Sequence, residues 1–178
     1  MDQQGGFTLL ELMVTVAMAA IVLTTGVPGF QTIVKNNRLT TATNGLVGAL
    51  GLARSEAVKR GVRVTVCKSA DGAACISTGD WSQGWIAFTD LDSDGVYDPA
   101  DSPPEIVLRV QEAIGGNLTM VGNGSAADHV FYTASGFFPD GVSNATIAMC
   151  DDRSGNVGKN IVLSKTGRVR LDTEVACP

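Results

Sequence analysis

Polar and apolar residues hardly alternate at the start of this chain. No residue from Leu12 to Val34 is charged, and "GGFTLLELMVTVAMAAIVL", residues 5 to 23, holds a single acid, Glu11. A helix over the uncharged run would extend roughly 35 Å at 1.5 Å per residue, enough to cross a hydrocarbon core of about 30 Å. Gly26, Pro28 and Gly29 come next. Proline removes an intrahelical hydrogen bond and glycine costs about 1 kcal/mol against alanine, so a bend or a melted turn is expected there. Beyond Phe30 the pattern turns amphipathic. Leu39, Ala42, Leu46, Leu50, Ala53 and Ala57 recur at steps of three or four, while Asn37, Thr41, Asn44, Ser55 and Lys59 take the other side. This is the helix period, and its apolar stripe needs a surface to lie against. Lys59, Arg60 and Gly61 supply the cations and the glycine that suit a helix C-terminus.

After Gly61 the period shortens. "VRVTVCK", "GWIAFTD", "EIVLRV", "NLTMV", "HVFYT", "ATIAMC", "NIVLSK" and "RVRLD" are short β-prone runs separated by glycine, proline, aspartate and asparagine. Their alternation and turn signals predict antiparallel strands in one or two sheets. No internal repeat or low-complexity tract interrupts them. The expected fold class is α+β: a long N-terminal helix, half membrane-spanning and half amphipathic, packed on an antiparallel β-rich domain.

Composition agrees with one core behind an anchor. The chain has 178 residues, 44% of them hydrophobic, which suffices for a single globular domain. Its net charge of −5 excludes a protein that coats nucleic acid with its whole surface, although a local basic patch can still bind phosphates. Four cysteines, Cys67, Cys75, Cys150 and Cys177, in a small domain behind a membrane segment fit two disulfides and an oxidising compartment. Three pairings are open. Cys67 with Cys75 and Cys150 with Cys177 is favoured, because the first closes a short loop and the second ties down the chain end. The spacings do not match a zinc site.

A secretory signal peptide carries its small-residue cleavage site after the apolar stretch; here the candidate site precedes it. Gly6, Phe7, Thr8, Leu9, Leu10 and Glu11, followed by Pro28, resemble the class III leader junction of type IV pilins and of the pseudopilins of type II secretion. The resemblance implies a leader over residues 1–6, cleavage after Gly6 by a prepilin peptidase and N-methylation of Phe7. It also implies a transmembrane and polymerisation helix over 7–29, then a pilin domain over 30–178 with the amphipathic helix at 30–60 and the β-rich part at 61–178. Glu11 becomes the fifth residue of the mature chain. An acid inside a span costs a few kcal/mol unless paired or near the interface, and the terminal amine of a neighbouring chain is the partner that an assembling fibre offers. The implied partners are other major and minor pilins and the inner membrane. The implied location is single-pass in that membrane and then in a surface pilus, with the domain periplasmic or extracellular. "WSQGWIAFTDLDSDG" and the C-terminal strand pair resemble the GspH/FimT branch.

Two further stretches bear on function. "DLDSDGVYDPAD" places Asp90, Asp92 and Asp94 at positions one, three and five of a calcium-type loop, Gly95 at six, Asp98 at nine and Asp101 at twelve. Such clustered oxygens suit a hard cation, and glycine allows the sharp turn. The twelfth position is Asp where a bidentate Glu is usual, and turns between strands are rich in Asp and Gly for local reasons. Calcium therefore stands as an alternative to the reading with no cofactor and no metal. Catalysis has little support. His129 is the sole histidine, in a strand-like run, and no nucleophile elbow, zinc motif or phosphate loop occurs; an enzyme is not expected.

From Arg153 to Leu171 there are five basic residues, Arg153, Lys159, Lys165, Arg168 and Arg170, and no acid. "NIVLSKTGRVRLD" reads as a hairpin turning at Lys165, Thr166 and Gly167, with Arg168 and Arg170 on one face and Val169 and Leu171 on the other. Two guanidiniums so placed suit backbone phosphates, which carry no sequence code. Alternate arginines on an edge strand also serve simply to discourage aggregation. The resemblance adds weight to the first view, since FimT-like minor pilins of DNA-uptake pili carry a Gly-Arg-x-Arg motif, matched here by Gly167, Arg168, Val169 and Arg170. DNA is thus an expected partner, with Lys165 assisting by proximity. The expected function is low-specificity capture of extracellular DNA in natural transformation. The alternative is a GspH-like pseudopilin, or a structural or initiating minor pilin without DNA binding.

Overall fold

The computed structural model describes residues 6–138 and 145–178. The remainder of the expected leader, residues 1–5, lies outside the described residues. The chain divides into two compact units, one reaching Arg38 and the other covering Leu39–Pro178.

Helix α1 spans Leu9–Arg60. It starts where Thr8 offers its hydroxyl to the backbone N–H of Glu11, at 3.2 Å. Thr8 and Glu11 thus hold the N-cap and N3 positions of a capping box, and Phe7 and Leu12 hold the flanking hydrophobic-staple positions. An acid in the first turn also complements the positive helix terminus. The melted turn expected near Pro28 does not occur, since the helix runs unbroken past it. Proline removes one ladder bond, and the long stretches of helix before and after it persist through that single loss. An 18-residue window of this helix reaches a mean hydropathy of 2.0. Every described side chain from Gly6 to Val34 is exposed in the single chain. An apolar surface of that extent requires lipid or neighbouring helices to cover it.

From Leu39 onward α1 belongs to the globular unit. All six residues of the predicted stripe, Leu39, Ala42, Leu46, Leu50, Ala53 and Ala57, are buried. Eight strands follow: β1 Arg63–Lys68, β2 Trp85–Asp90, β3 Val107–Gln111, β4 Thr119–Gly122, β5 His129–Tyr132, β6 Ala145–Cys150, β7 Gly155–Leu163 and β8 Val169–Cys177. Each predicted run overlaps one of them; β3 and β4 end one residue later, β7 starts earlier and β8 ends later than the sequence pattern implied. They form two antiparallel sheets, ordered β3-β2-β1-β5 and β4-β6-β7-β8.

One core joins the three layers. The α1 stripe, Val64, Val66, Trp85 and Ala87 of the first sheet, and Met120, Ile147, Met149, Ile161 and Leu163 of the second all belong to it. β2 is buried along its whole length, because its other face carries Ile86 and Phe88 in a small cluster with Cys67, Cys75, Tyr97 and Val107. A strand covered on both faces has no reason to alternate. Cys67 is bonded to Cys75 and Cys150 to Cys177, the favoured pairing. The second bridge fixes the end of β8 to β6. Truncation of Leu46, which is fully buried, should lower the unfolding free energy by about 2–5 kcal/mol. Denaturant unfolding of Leu46→Ala, followed by the fluorescence of buried Trp81 and Trp85, measures this.

Candidate nucleic-acid interface

The β7–β8 hairpin is built on a tight register. Ile161 lies opposite Leu171, Val162 opposite Arg170 and Leu163 opposite Val169. Its tip is a type I turn: the Gly167 N–H donates to the Ser164 carbonyl at 2.9 Å, and the Ser164 N–H to the Arg168 carbonyl at 3.0 Å. Gly167 then takes a positive φ of 72°, the left-handed residue that such a three-residue hairpin loop requires. The Ser164 hydroxyl adds a bond to the Arg168 carbonyl at 3.1 Å.

The turn is docked as well as closed. Gly167 is buried, and a Cβ on it would lie 2.3 Å from the Gly136 carbonyl oxygen and 3.2 Å from Tyr132 Cε1. From α1, Arg54 Nη2 donates to the Thr166 carbonyl at 3.1 Å. Tyr132, buried beneath, has its phenol pushed up to about 12 by burial, against a smaller opposing effect from Arg54. Gly167, counted from its motif among the DNA contacts, therefore faces the protein interior. Its part is to shape and seat the turn.

The charged members face outward. Lys165, Arg168 and Arg170 are exposed. Arg168 and Arg170 line one open hollow together with Val162 and Ser164, the shared face that alternation predicted. Val169, on the opposite face, packs against the core, whereas Leu171 beyond it is 40% exposed, because β8 is an edge strand. Among the described residues Lys165 and Arg168 have no ion-pair partner. Arg170 Nη2 lies 3.1 Å from Asp172 Oδ2, both side chains exposed, and an exposed pair of this kind is weak enough to exchange for a phosphate.

The five-residue basic run does not act as one patch. Arg153 donates from Nε and Nη2 to the Asp151 carboxylate at 2.6–3.0 Å, and Lys159 Nζ donates to Thr40 Oγ1 at 2.9 Å. Asp151 precedes the run, which is why a count from Arg153 onward overlooks it. Three cations at the hairpin end remain.

The aspartate loop sits between β2 and β3. Asp90 is buried, with Oδ2 accepting from Thr65 Oγ1 at 2.5 Å and lying 3.0 Å from Arg63 Nε. The sequence reading missed Glu105, which is buried and accepts the N–H groups of Leu91 and Asp98 at 2.8 and 3.0 Å. Its position four residues beyond Asp101, past two prolines, falls outside a twelve-residue motif. Burial and the charges of Asp90 and Asp92 hold the Glu105 carboxyl above its ordinary value despite those two bonds. Asp101 is raised by desolvation first, then by Asp98, Asp92 and Asp94. His129 is half-buried on β5 and stacked on Phe131, with ring centroids 5.7 Å apart, as a structural histidine would be.

A long N-terminal helix whose second half packs on an antiparallel β domain, preceded by a Gly-Phe junction, defines the type IV pilin and pseudopilin class. The chain belongs to the family described as Type II transport protein GspH, whose pattern matches residues 42–167, and residues 1–27 match the prokaryotic N-terminal methylation motif. Among solved structures, it is similar to the type IV minor pilin FimU of Pseudomonas aeruginosa, at 25% identity. That match has a TM-score of 0.60 and covers 82% of this chain and 96% of the other. The minor pseudopilin EpsH of the Vibrio cholerae type 2 secretion system shares the fold, at 14% identity and a TM-score of 0.51, over 76% of this chain and 97% of that one. Comparison with curated protein sequences gives no significant match.

Because Gly167 combines a positive φ with a close approach to Gly136, Gly167→Ala should destabilise the domain by at least ~1–3 kcal/mol. Arg168→Gln should leave the unfolding midpoint unchanged. Thermal unfolding of the two variants side by side checks both outcomes.

Proposed function

We propose that this minor pilin captures extracellular DNA, with low sequence specificity, during natural transformation. The observation that carries the reading is the shared exposed face of Arg168 and Arg170 on a turn held by Gly167 and Arg54. A guanidinium presents a planar fork of donors to phosphate oxygens, and a seated turn leaves little freedom to lose on binding. Lys165 adds a third cation at the tip. These groups face a backbone rather than base edges, so recognition is by charge and carries no sequence preference. Binding by one subunit is weak, and repeated copies along a fibre would raise it through effective concentration.

The helix and the junction support the rest of the reading. The pilin class implies anchoring by the N-terminal helix and assembly with other pilins, after cleavage at Gly6 and methylation of Phe7 by prepilin peptidase. In the fibre, the terminal amine of a neighbour would lie against Glu11, which is exposed in the single chain. A second reading, a pseudopilin or initiating minor pilin that uses this hairpin for protein contacts, is favoured by one feature. β8 is the edge of its sheet and leaves Leu171 part-exposed beside the arginines, an arrangement that accepts an added strand.

The detergent-solubilised chain should retard duplex DNA in a gel at low salt, and Arg168→Gln with Arg170→Gln should abolish the shift. With about three phosphate contacts, log affinity should fall against log salt with a slope of roughly −2 to −3. Equal binding by the double variant would remove the DNA reading and leave the protein-contact one. Separately, Gly6→Ala should accumulate as an uncleaved precursor on immunoblots; normal maturation of that variant would contradict the processing assignment.

A further inference from the structure

The β2–β3 loop, residues 91–106, gathers carboxylates, of which Asp92, Asp94 and Asp98 accept backbone N–H groups two residues on. Two triads overlap there: Asp90, Asp92 and Asp94, and Asp92, Asp101 and Glu105. Within each, one oxygen per residue lies within 4.8 Å of the others. Oxygens bound at about 2.4 Å on opposite sides of one calcium ion are about 4.8 Å apart, so each triad already has the spacing of ligands around one ion. Asp92 belongs to both, which makes the two triads parts of one cluster.

Asp90 supplies an independent pointer. It is fully buried, and its Oδ2 is engaged by Thr65 and Arg63. Its Oδ1 has neither solvent nor a hydrogen-bond donor. A buried carboxylate oxygen left unpaired is expensive, and this one belongs to a residue of the first triad. The charge balance points the same way. Among the described residues, Arg63 is the only cation ion-paired to any of Asp90, Asp92, Asp94, Asp98, Asp101 and Glu105. Glu105 bonds the backbone at both Leu91 and Asp98, and Tyr97 packs edge-on against Phe88 with centroids 5.5 Å apart. These contacts tie the loop to the sheet and hold the acids together despite their repulsion.

We propose that this loop binds one calcium ion through Asp90, Asp92, Asp94 and Asp101, with Glu105 completing the cluster. An all-oxygen, mostly carboxylate set suits a hard cation, and calcium accepts irregular geometry that magnesium, which demands a near-ideal octahedron, does not. No histidine or cysteine belongs to either triad, so a softer metal has no ligand to prefer. The bound ion satisfies Asp90 Oδ1 and screens the loop acids from one another, and the loop stiffens against the first sheet. With Asp in place of Glu at position twelve, the affinity falls in the range of extracellular modules, on the order of 10⁻⁴–10⁻³ M.

The test uses the full chain in detergent micelles, stripped with chelator and then titrated with calcium chloride. Calorimetry should show one ion bound per chain, and thermal unfolding read by Trp81 and Trp85 should shift upward with calcium. The same concentration of magnesium should give a smaller shift. Asp92→Asn, at an exposed residue common to both triads, should weaken binding at least tenfold, whereas Glu112→Gln should bind as the unsubstituted chain does. Asp94→Asn, also exposed, gives the same comparison if Asn at position 92 impairs folding. No calcium-dependent heat or melting shift up to about 10 mM, ten times the weakest range above, would overturn the proposal. So would wild-type affinity in the Asp92 or Asp94 variant, or an equal response to magnesium.

Discussion

The burial of one face of α1 from Leu39 to Ala57 is the contact on which the globular unit depends. All six stripe positions are alanine or leucine, and they share one buried cluster with residues of both sheets. A sheet with one apolar face needs another layer to bury it, and both sheets here share their core with this stripe. The same helix fixes the candidate interface. Arg54, one residue after buried Ala53, holds the carbonyl of Thr166, so the hairpin tip takes its position from the helix as well as from the sheet.

Around this core the charges are segregated. A cluster of acids sits in the β2–β3 loop, tied to the first sheet, and three exposed cations, Lys165, Arg168 and Arg170, sit at the end of β7–β8 in the second. A net charge of −5 therefore describes neither surface. At the hairpin a polyanion meets three exposed cations on a chain that is acidic as a whole, which favours a local, salt-sensitive contact. The two surfaces rest on different strands, and their proposed ligands have opposite charge, so each can be tested without disturbing the other.

Much of the fold was legible in the sequence because its signals were periodic. The six-residue helix stripe and all eight strand runs follow from spacing, and the Arg168 and Arg170 face follows from alternation. What was not legible depends on partners distant in the chain or outside the motif being read. Gly26, Pro28 and Gly29 suggested a bend or a melted turn; the turn is not melted, because one lost bond does not interrupt so long a helix. Thr8 and Glu11 form the cap spacing, overlooked because Glu11 was weighed only as an intramembrane charge. Gly167 appeared to be part of a binding motif, and only its approach to Gly136 shows that it faces inward. Arg153 looked free until Asp151 was placed beside it, and Glu105 joins the aspartates only through the return of the loop.

The central claim is that a seated hairpin tip, and not the chain's surface at large, meets DNA. Backbone amide shifts of the isotope-labelled chain in micelles, titrated with a short duplex, test it most directly. The account predicts shifts concentrated from Val162 to Leu171 and at Arg54, reversed by added salt. Shifts centred on another face, or none at concentrations that saturate the gel assay, would contradict it.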